Sequence, residues 1–313
     1  MDKLRKIGLT ALAGTFAATS AQALEMSVSG SAGFTYSSQD SDEVTGNRFS
    51  FGDSLTFSGS GETDNGWTIT ATIEADGASS NNYYDDRSVS VDMGDSGTFV
   101  IQQSGATGTP ASLVPTAYGS ASYSLIAAAS AGIHSADGLA SGTDGPVNLG
   151  YTNTIAGFNV AIGHTAGHTG GSDTSINVKY SDLMDGLTIS AGMSDLNGSQ
   201  VNGTSETQFS VSYAVGGLTI AAHDMQADDD AASGTDYDAR AIGVSFAVNE
   251  SLSVSYGIWD VDMGTGTDEE SSGISASYTS GGMTVGLVSN ETDNVAGSAG
   301  EDAFKEISVS FAF

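Results

Sequence analysis

The chain has 313 residues, 38 acidic against eight basic, a formal net charge of −30 and no cysteine. So acidic a balance excludes nucleic-acid binding through a phosphate-neutralising patch, and the missing thiols exclude a disulfide frame and a thiolate metal site. High charge with modest hydrophobicity also occurs in disordered chains, but the regular alternation described below points to a sheet protein.

The chain opens on a short basic lead, Met1-Asp2-Lys3-Leu4-Arg5-Lys6, then a mostly apolar run from Ile7 to Ala18 and the small-residue motif Ala21-Gln22-Ala23. This is the pattern of a secretory signal peptide over 1–23, cut after Ala23. The apolar run is too short to span a bilayer as a helix. Its removal leaves 37 acidic and five basic residues, a net charge of −32, on a single expected β-barrel domain over 24–313.

Alternation with a period of two then predicts strands along the whole mature chain. They fall near Leu24–Ser37, Asn47–Glu62, Trp67–Asp76, Arg87–Met93 and Thr98–Gln103, then Pro146–Thr152, Phe158–Thr165, Thr174–Ser181, Leu187–Asp195 and Glu206–Val215. The remainder fall near Leu218–Met225, Tyr237–Val248, Leu252–Asp260, Ser271–Ser280, Met283–Glu291 and Lys305–Phe313. In Glu206–Val215, Phe209, Val211, Tyr213 and Val215 share one face while Gln208, Ser210, Ser212 and Ala214 share the other. Lys305–Phe313 repeats the pattern with Ile307, Val309, Phe311 and Phe313, and its final residue needs a partner strand to be ordered.

The connections alternate in length. Tight turns rich in Gly, Asn and Asp, such as Asp64-Asn65-Gly66, Asp185-Gly186, Gly216-Gly217 and Gly281-Gly282, supply the positive φ angles of hairpins. Longer acidic loops lie between them, at Gln226–Asp236, Asp262–Glu270 and Thr292–Ala303. Trp67, Phe158, Tyr180, Tyr213, Phe246 and Phe313 all sit at the tight-turn ends, as one aromatic girdle would. About 16 strands, an even number, with short turns on one side and long loops on the other, read as an all-β transmembrane antiparallel barrel, apolar face to lipid and polar face to water.

One stretch breaks the rhythm. Ser104 to Gly145 holds Pro110 and Pro115, with Pro146 at its edge, and the apolar run Tyr123-Ser124-Leu125-Ile126-Ala127-Ala128-Ala129. Proline removes a ladder hydrogen bond, so its confinement here marks the segment as non-strand. So long a loop is usually functional. It is expected to fold into the lumen and narrow the channel; the other reading is a further pair of strands plus an exposed loop.

The alternating connections, the expanded third loop, the C-terminal Phe313 and the stretch Asp53–Trp67, with Leu55-Thr56-Phe57-Ser58-Gly59 running into Glu62-Thr63-Asp64-Asn65-Gly66, resemble a Gram-negative general porin of the alphaproteobacterial, Rhodobacter-type kind. The resemblance implies a 16-stranded homotrimer in the outer membrane, passive diffusion of small hydrophilic solutes, and an eyelet formed by the third loop. It also implies arginines on the wall facing that loop, and in the corresponding stretch this chain has Gly52 and Ser54.

By parity Arg48, Glu74, Asp76, Asp92, Lys179 and Glu306 point into the lumen, and His134, Asp137 and Asp144 lie on the third loop; these nine are the candidate pore-lining residues. Arg87, Arg240 and Lys305 fall on the outward parity near the loop ends, where long side chains snorkel to headgroups. Lumen acids outnumber lumen bases, which predicts mild cation selectivity. Asp228, Asp229 and Asp230 are weak candidates for Ca²⁺, since oxygen ligands suit hard cations but no calcium-loop spacing is present. Metal bridging between outer loops and lipopolysaccharide phosphates is a further expectation. His164 and His168 lack the glutamate of a zinc-protease helix, no nucleophile–base pair stands out, and no enzyme is expected. The alternative function is a secreted β-rich surface or adhesive protein without a pore.

Overall fold

A computed structural model describes residues 25–39, 48–76, 86–103, 114, 147–165, 172–196, 204–229, 236–262, 264, 266–294, 297 and 299–313. They form sixteen strands: β1 Glu25–Gln39, β2 Phe49–Glu62, β3 Thr68–Asp76, β4 Arg87–Asp92, β5 Thr98–Gln103, β6 Val147–Ile155, β7 Phe158–Thr165 and β8 Asp173–Tyr180; then β9 Leu187–Leu196, β10 Thr204–Val215, β11 Leu218–Asp229, β12 Tyr237–Ala247, β13 Leu252–Asp262, β14 Glu269–Ser280, β15 Met283–Asp293 and β16 Glu301–Ala312. Each pairs antiparallel with its sequence neighbours, and β1 also pairs with β16, so the sheet closes into a barrel.

The register follows from the side-chain pattern, because a one-residue slip would turn every apolar residue to the wrong face. Val211 lies opposite Ile189 and Ala222, while Ser210, next to it, lies opposite Ser190 and His223. The apolar set faces outward and is exposed: Phe51, Ile73, Phe209, Ile242, Ile274 and Ile307 are among many such residues. An apolar surface running round the whole molecule is far larger than a protein shows to water, and hydrocarbon is the medium that suits it. Inside hydrocarbon every backbone N–H and C=O needs an internal partner, and closure supplies one by removing both sheet edges.

At the seam, the Gly30 and Phe313 amides each donate to the other residue's carbonyl at 2.9 Å. Gly30 permits this approach, since a Cβ there would fall 2.7 Å from the Phe313 ring and 2.8 Å from the Ser54 carbonyl oxygen. The final residue therefore has the partner that its sequence requires.

The short connections all lie at one end. Gly66, Gly186, Gly216 and Gly281 take the positive φ expected of them. The Asn249 side-chain oxygen accepts from the Ser251 and Leu252 amides at 2.9 and 3.0 Å, folding its turn without glycine. The hairpin between β6 and β7 turns on Ala156-Gly157, with φ 52° and 84°. Sequence reading ended β6 at Thr152, because alanine is a poor marker of a turn. The girdle is present, with Trp67, Phe158, Tyr213, Phe246 and Phe313 exposed at this end and Phe158 stacked on Tyr180 at 4.4 Å.

At the opposite end several strands run further than the alternation predicts. β11 continues to Asp229, β13 to Asp262, β14 starts at Glu269 and β16 at Glu301. Here the outward positions are acidic, as at Asp224, Asp238, Asp260, Glu270 and Glu291. The strands keep their hydrogen bonds after leaving hydrocarbon, and once the outward positions turn acidic the apolar–polar signal is gone. β5 and β6 are direct neighbours, so the third connection inserts no strand between them.

Ile274 lies near the middle of β14 on the outer face and is 57% exposed. Ile274→Arg should destabilise the barrel by about 2–4 kcal/mol in a lipid-bilayer unfolding titration, the scale for arginine at the midplane. The same substitution at inward-facing Thr72 should have a markedly smaller effect. Equal effects at the two sites would contradict the assignment of the faces.

Candidate functional site

The candidate site is the inner wall of the barrel, and its two halves differ. On β1 to β5 the inward side chains are small and mostly hydroxylated: Ser27, Ser29 and Ser31 on β1, Thr56 and Ser58 on β2, Thr70 and Thr72 on β3. The Thr35 and Ser50 hydroxyls hydrogen-bond to each other across the first hairpin. Gly33 faces Gly52, and a Cβ at Gly52 would meet no atom, so the wall there is bare. Ser54 donates to the Glu74 carboxylate and lies in register with Asp76. These two acids lie at the long-connection end of β3, level with the middle of β2.

On β9 to β15 the inward side chains are buried. Glu206, Gln208 and Ser210 of β10, His223 of β11 and Thr292 of β15 are all nearly inaccessible. Met225, Ala239, Ala241, Trp259 and Val261 form an apolar cluster on β11 to β13. Their registers, Met225 with Ala239 and Ala239 with Val261, place all of them on the inward face. His223 stacks on Trp259 with centroids 5.9 Å apart, and its Nδ1 lies 2.6 Å from the Ser210 hydroxyl. Val114, on the connection between β5 and β6, packs against this cluster. At Val114, then, the third connection is inside the barrel and against the β11–β13 wall.

The residues predicted to line the pore are spread along its axis. Glu74, Asp76 and Glu306 face inward, Glu306 at the middle of β16 in register between Ser37 and Val288, and Asp76 at the end of β3. Asp92 accepts the Gly94 amide at 2.9 Å beside the 3-10 turn Gly94–Ser96, so it serves the turn at the short-connection mouth. Lys179 faces inward near the same mouth, between Asn159 and Ser190. Arg48 precedes β2 at the other end, exposed, with Nη1 donating to the Ser38 hydroxyl at 3.1 Å. His134, Asp137 and Asp144 lie outside the described residues, as does Asp230. Asp228 and Asp229 belong to β11 and not to a loop, and among the described residues no group of three or more His, Asp or Glu side chains is placed to hold a metal ion.

Sequence reasoning missed several inward acids, among them Asp173, Glu206, Glu269 and Asp302. It began β8, β14 and β16 one or more residues late, and it did not follow parity through Glu206. The same-face steps Asp173 to Ser175 and Glu269 to Ser271 carried the signal. It also missed the apolar cluster, although Trp259 on the inward parity of β13, beside Ser255 and Gly257, is a large side chain that needs something to cover it. On the outer face Arg240 Nε pairs with Asp224 at 3.0 Å.

A cylinder of strands with a greasy exterior and a polar, partly filled interior is a membrane-spanning channel. The Gram-negative porin family model matches residues 8–312, and the chain belongs to that family. Among solved structures it resembles several variants of the Rhodopseudomonas blastica porin. One aligns at 15% identity with a TM-score of 0.67 and another at 14% with 0.66, each covering 92% of this chain and 100% of that one. A triple mutant of the same porin gives 15% and 0.65 with the same coverage. No curated protein matches the chain significantly. The protein is an outer-membrane porin, a channel and not an enzyme, which removes the poreless surface protein as a reading.

Trp259→Ala should lower stability by about 3–5 kcal/mol, the scale for truncating a large buried aromatic. Far-UV circular dichroism should show unchanged strand content, with the loss appearing in chemical denaturation.

Proposed function

We propose that the lumen passes small hydrophilic solutes and ions by passive diffusion, sorting them by size and with a mild preference for cations. The observation that carries the preference is the imbalance of inward charge. Glu74, Asp76 and Glu306 are carboxylates on inward positions, with Asp173, Glu206 and Asp302 inward but buried, whereas Lys179 is the one lysine or arginine that a strand turns inward among the described residues. Fixed carboxylates in a water-filled passage with low-dielectric walls raise the local concentration of cations and lower that of anions. Glu74, Asp76 and Glu306 border the hydroxylated half and are the groups that passing ions would meet. His134, Asp137 and Asp144 remain proposed constriction residues on the third loop.

The functional unit is proposed to be a homotrimer, on family membership, delivered after cleavage behind Ala23. Outer-membrane lipid and lipopolysaccharide would contact its outer face. The outward acids at the long-connection end, Asp224, Asp238 and Asp260 among them, would meet lipopolysaccharide phosphates through divalent cations such as Ca²⁺.

In planar bilayers under a KCl gradient the reversal potential should indicate potassium over chloride. The double variant Glu74→Gln with Asp76→Asn should move it toward zero. Anion preference in the unmodified protein, or no movement in the variant, would overturn the assignment. On an unheated SDS gel a trimer should run as one large species that dissociates on boiling.

A further inference from the structure

We propose that Lys179 and the amides around it form a binding subsite, at the short-turn mouth of the pore, for small solutes carrying a single oxyanion, a carboxylate or a phosphate. The inference rests on the reading that solutes diffuse through the lumen, and adds a place where one class of them pauses.

The mature chain contains five basic residues, Arg48, Arg87, Lys179, Arg240 and Lys305. Arg87, Arg240 and Lys305 point outward, by their registers with Ile73, Asp224 and Ser38. Arg48 sits off the strand at the far end. Lys179 is therefore the one cation that the sheet delivers to the lumen, in a chain of 37 mature acids.

Its partners on the adjoining strands do not neutralise it. In register it is flanked by Asn159 of β7 and Ser190 of β9, both uncharged. It opens onto a recess of about 740 Å³ whose lining includes Asn159, Asn177, Ser190, Thr154 and Asp95. The polar groups there are held in place. The Thr154 hydroxyl donates to Asn159 Oδ1 at 2.8 Å, which commits the oxygen and leaves the amide NH₂ as the end of Asn159 available to a ligand. Asn177 Nδ2 donates to the Ser190 hydroxyl at 3.0 Å. An ammonium is a compact point charge well suited to an oxyanion, and fixed amide donors beside it supply the directional bonds.

Asp95 on the same recess sets the selectivity. A polyanion would meet its carboxylate, whereas a solute with one oxyanion and a neutral or cationic remainder would not. In a lumen whose other charges repel anions, Lys179 gives such a solute one favourable stop beside the short turns, the periplasmic side in barrels of this class.

The test compares the unmodified porin with Lys179→Gln and Lys179→Arg in planar bilayers at low ionic strength, adding inorganic phosphate or gluconate and reading single-channel current noise against concentration. The unmodified channel and Lys179→Arg should show saturable added noise, and Lys179→Gln should need about tenfold more anion for the same response, the scale of one charge-assisted bond. A response to only one of the two probes would assign the oxyanion within the same site. Equal responses in all three proteins, or none in a conducting unmodified channel, would overturn the subsite and leave the diffusion reading intact. A protein that inserts but opens no channel would instead remove the diffusion reading.

Discussion

The structure depends on the hydrogen-bonding demand of the peptide group in hydrocarbon. A strand in lipid cannot leave one edge open, because each unpaired N–H or C=O there costs several kcal/mol. Closure of β1 onto β16 meets that demand for the whole chain at once. The remaining features follow from it. The chain can have few charges on its outward band, prolines must leave the strands, and the interior must be a lumen because a ring of this many strands is too wide for side chains to fill.

The lumen is not uniform, and its asymmetry bears on what the channel does. One wall is a carpet of hydroxyls with a bare glycine pair, Gly33 and Gly52. The opposite wall carries Trp259, Met225 and a set of polar groups shielded from water. Solvent is thus left mainly with the hydroxylated side, where Ser54 anchors Glu74. Each serine or threonine hydroxyl offers water and solutes one donor and two acceptor lone pairs, without net charge. Such a surface lets polar molecules exchange their hydration shell easily and holds none of them tightly, as a diffusive channel requires.

Much of the fold was legible in the sequence because burial in lipid inverts a familiar pattern without weakening it. Phe209, Val211 and Tyr213 alternate with Ser210 and Ser212 as sharply as they would on a soluble sheet, so the count of strands and the sidedness of the turns could be read directly. The pattern faded where its cause did. At Asp228, Asp262 and Glu301 the outward positions are acidic instead of apolar, so no alternation in the sequence marks strands that persist there by pairing. Ala156 folds a hairpin with the backbone angles of a glycine and gives no compositional sign of it. For the site, parity shows that a residue points inward but not how far along the axis it lies or what covers it. Asp92 and Glu74 share an inward parity, yet one serves a turn and the other faces the open wall. Only three-dimensional placement separates them.

The seam between Gly30 and Phe313 also sets an order of assembly. Hairpins from β2 through β15 can form between neighbours in sequence, each closing a loop far shorter than the whole chain. The last pairing joins segments that nearly the whole chain separates, and it must wait until β16 is in place. Until then β1 and β16 are both raw edges, the state in which strands of different molecules cross-pair. The tight fit at Gly30, where the Phe313 ring leaves no space for a methyl group, makes the native mate of β1 hard to imitate. Fidelity of the final zippering, more than the stability of any one hairpin, then decides how much of the newly exported chain becomes a sealed cylinder.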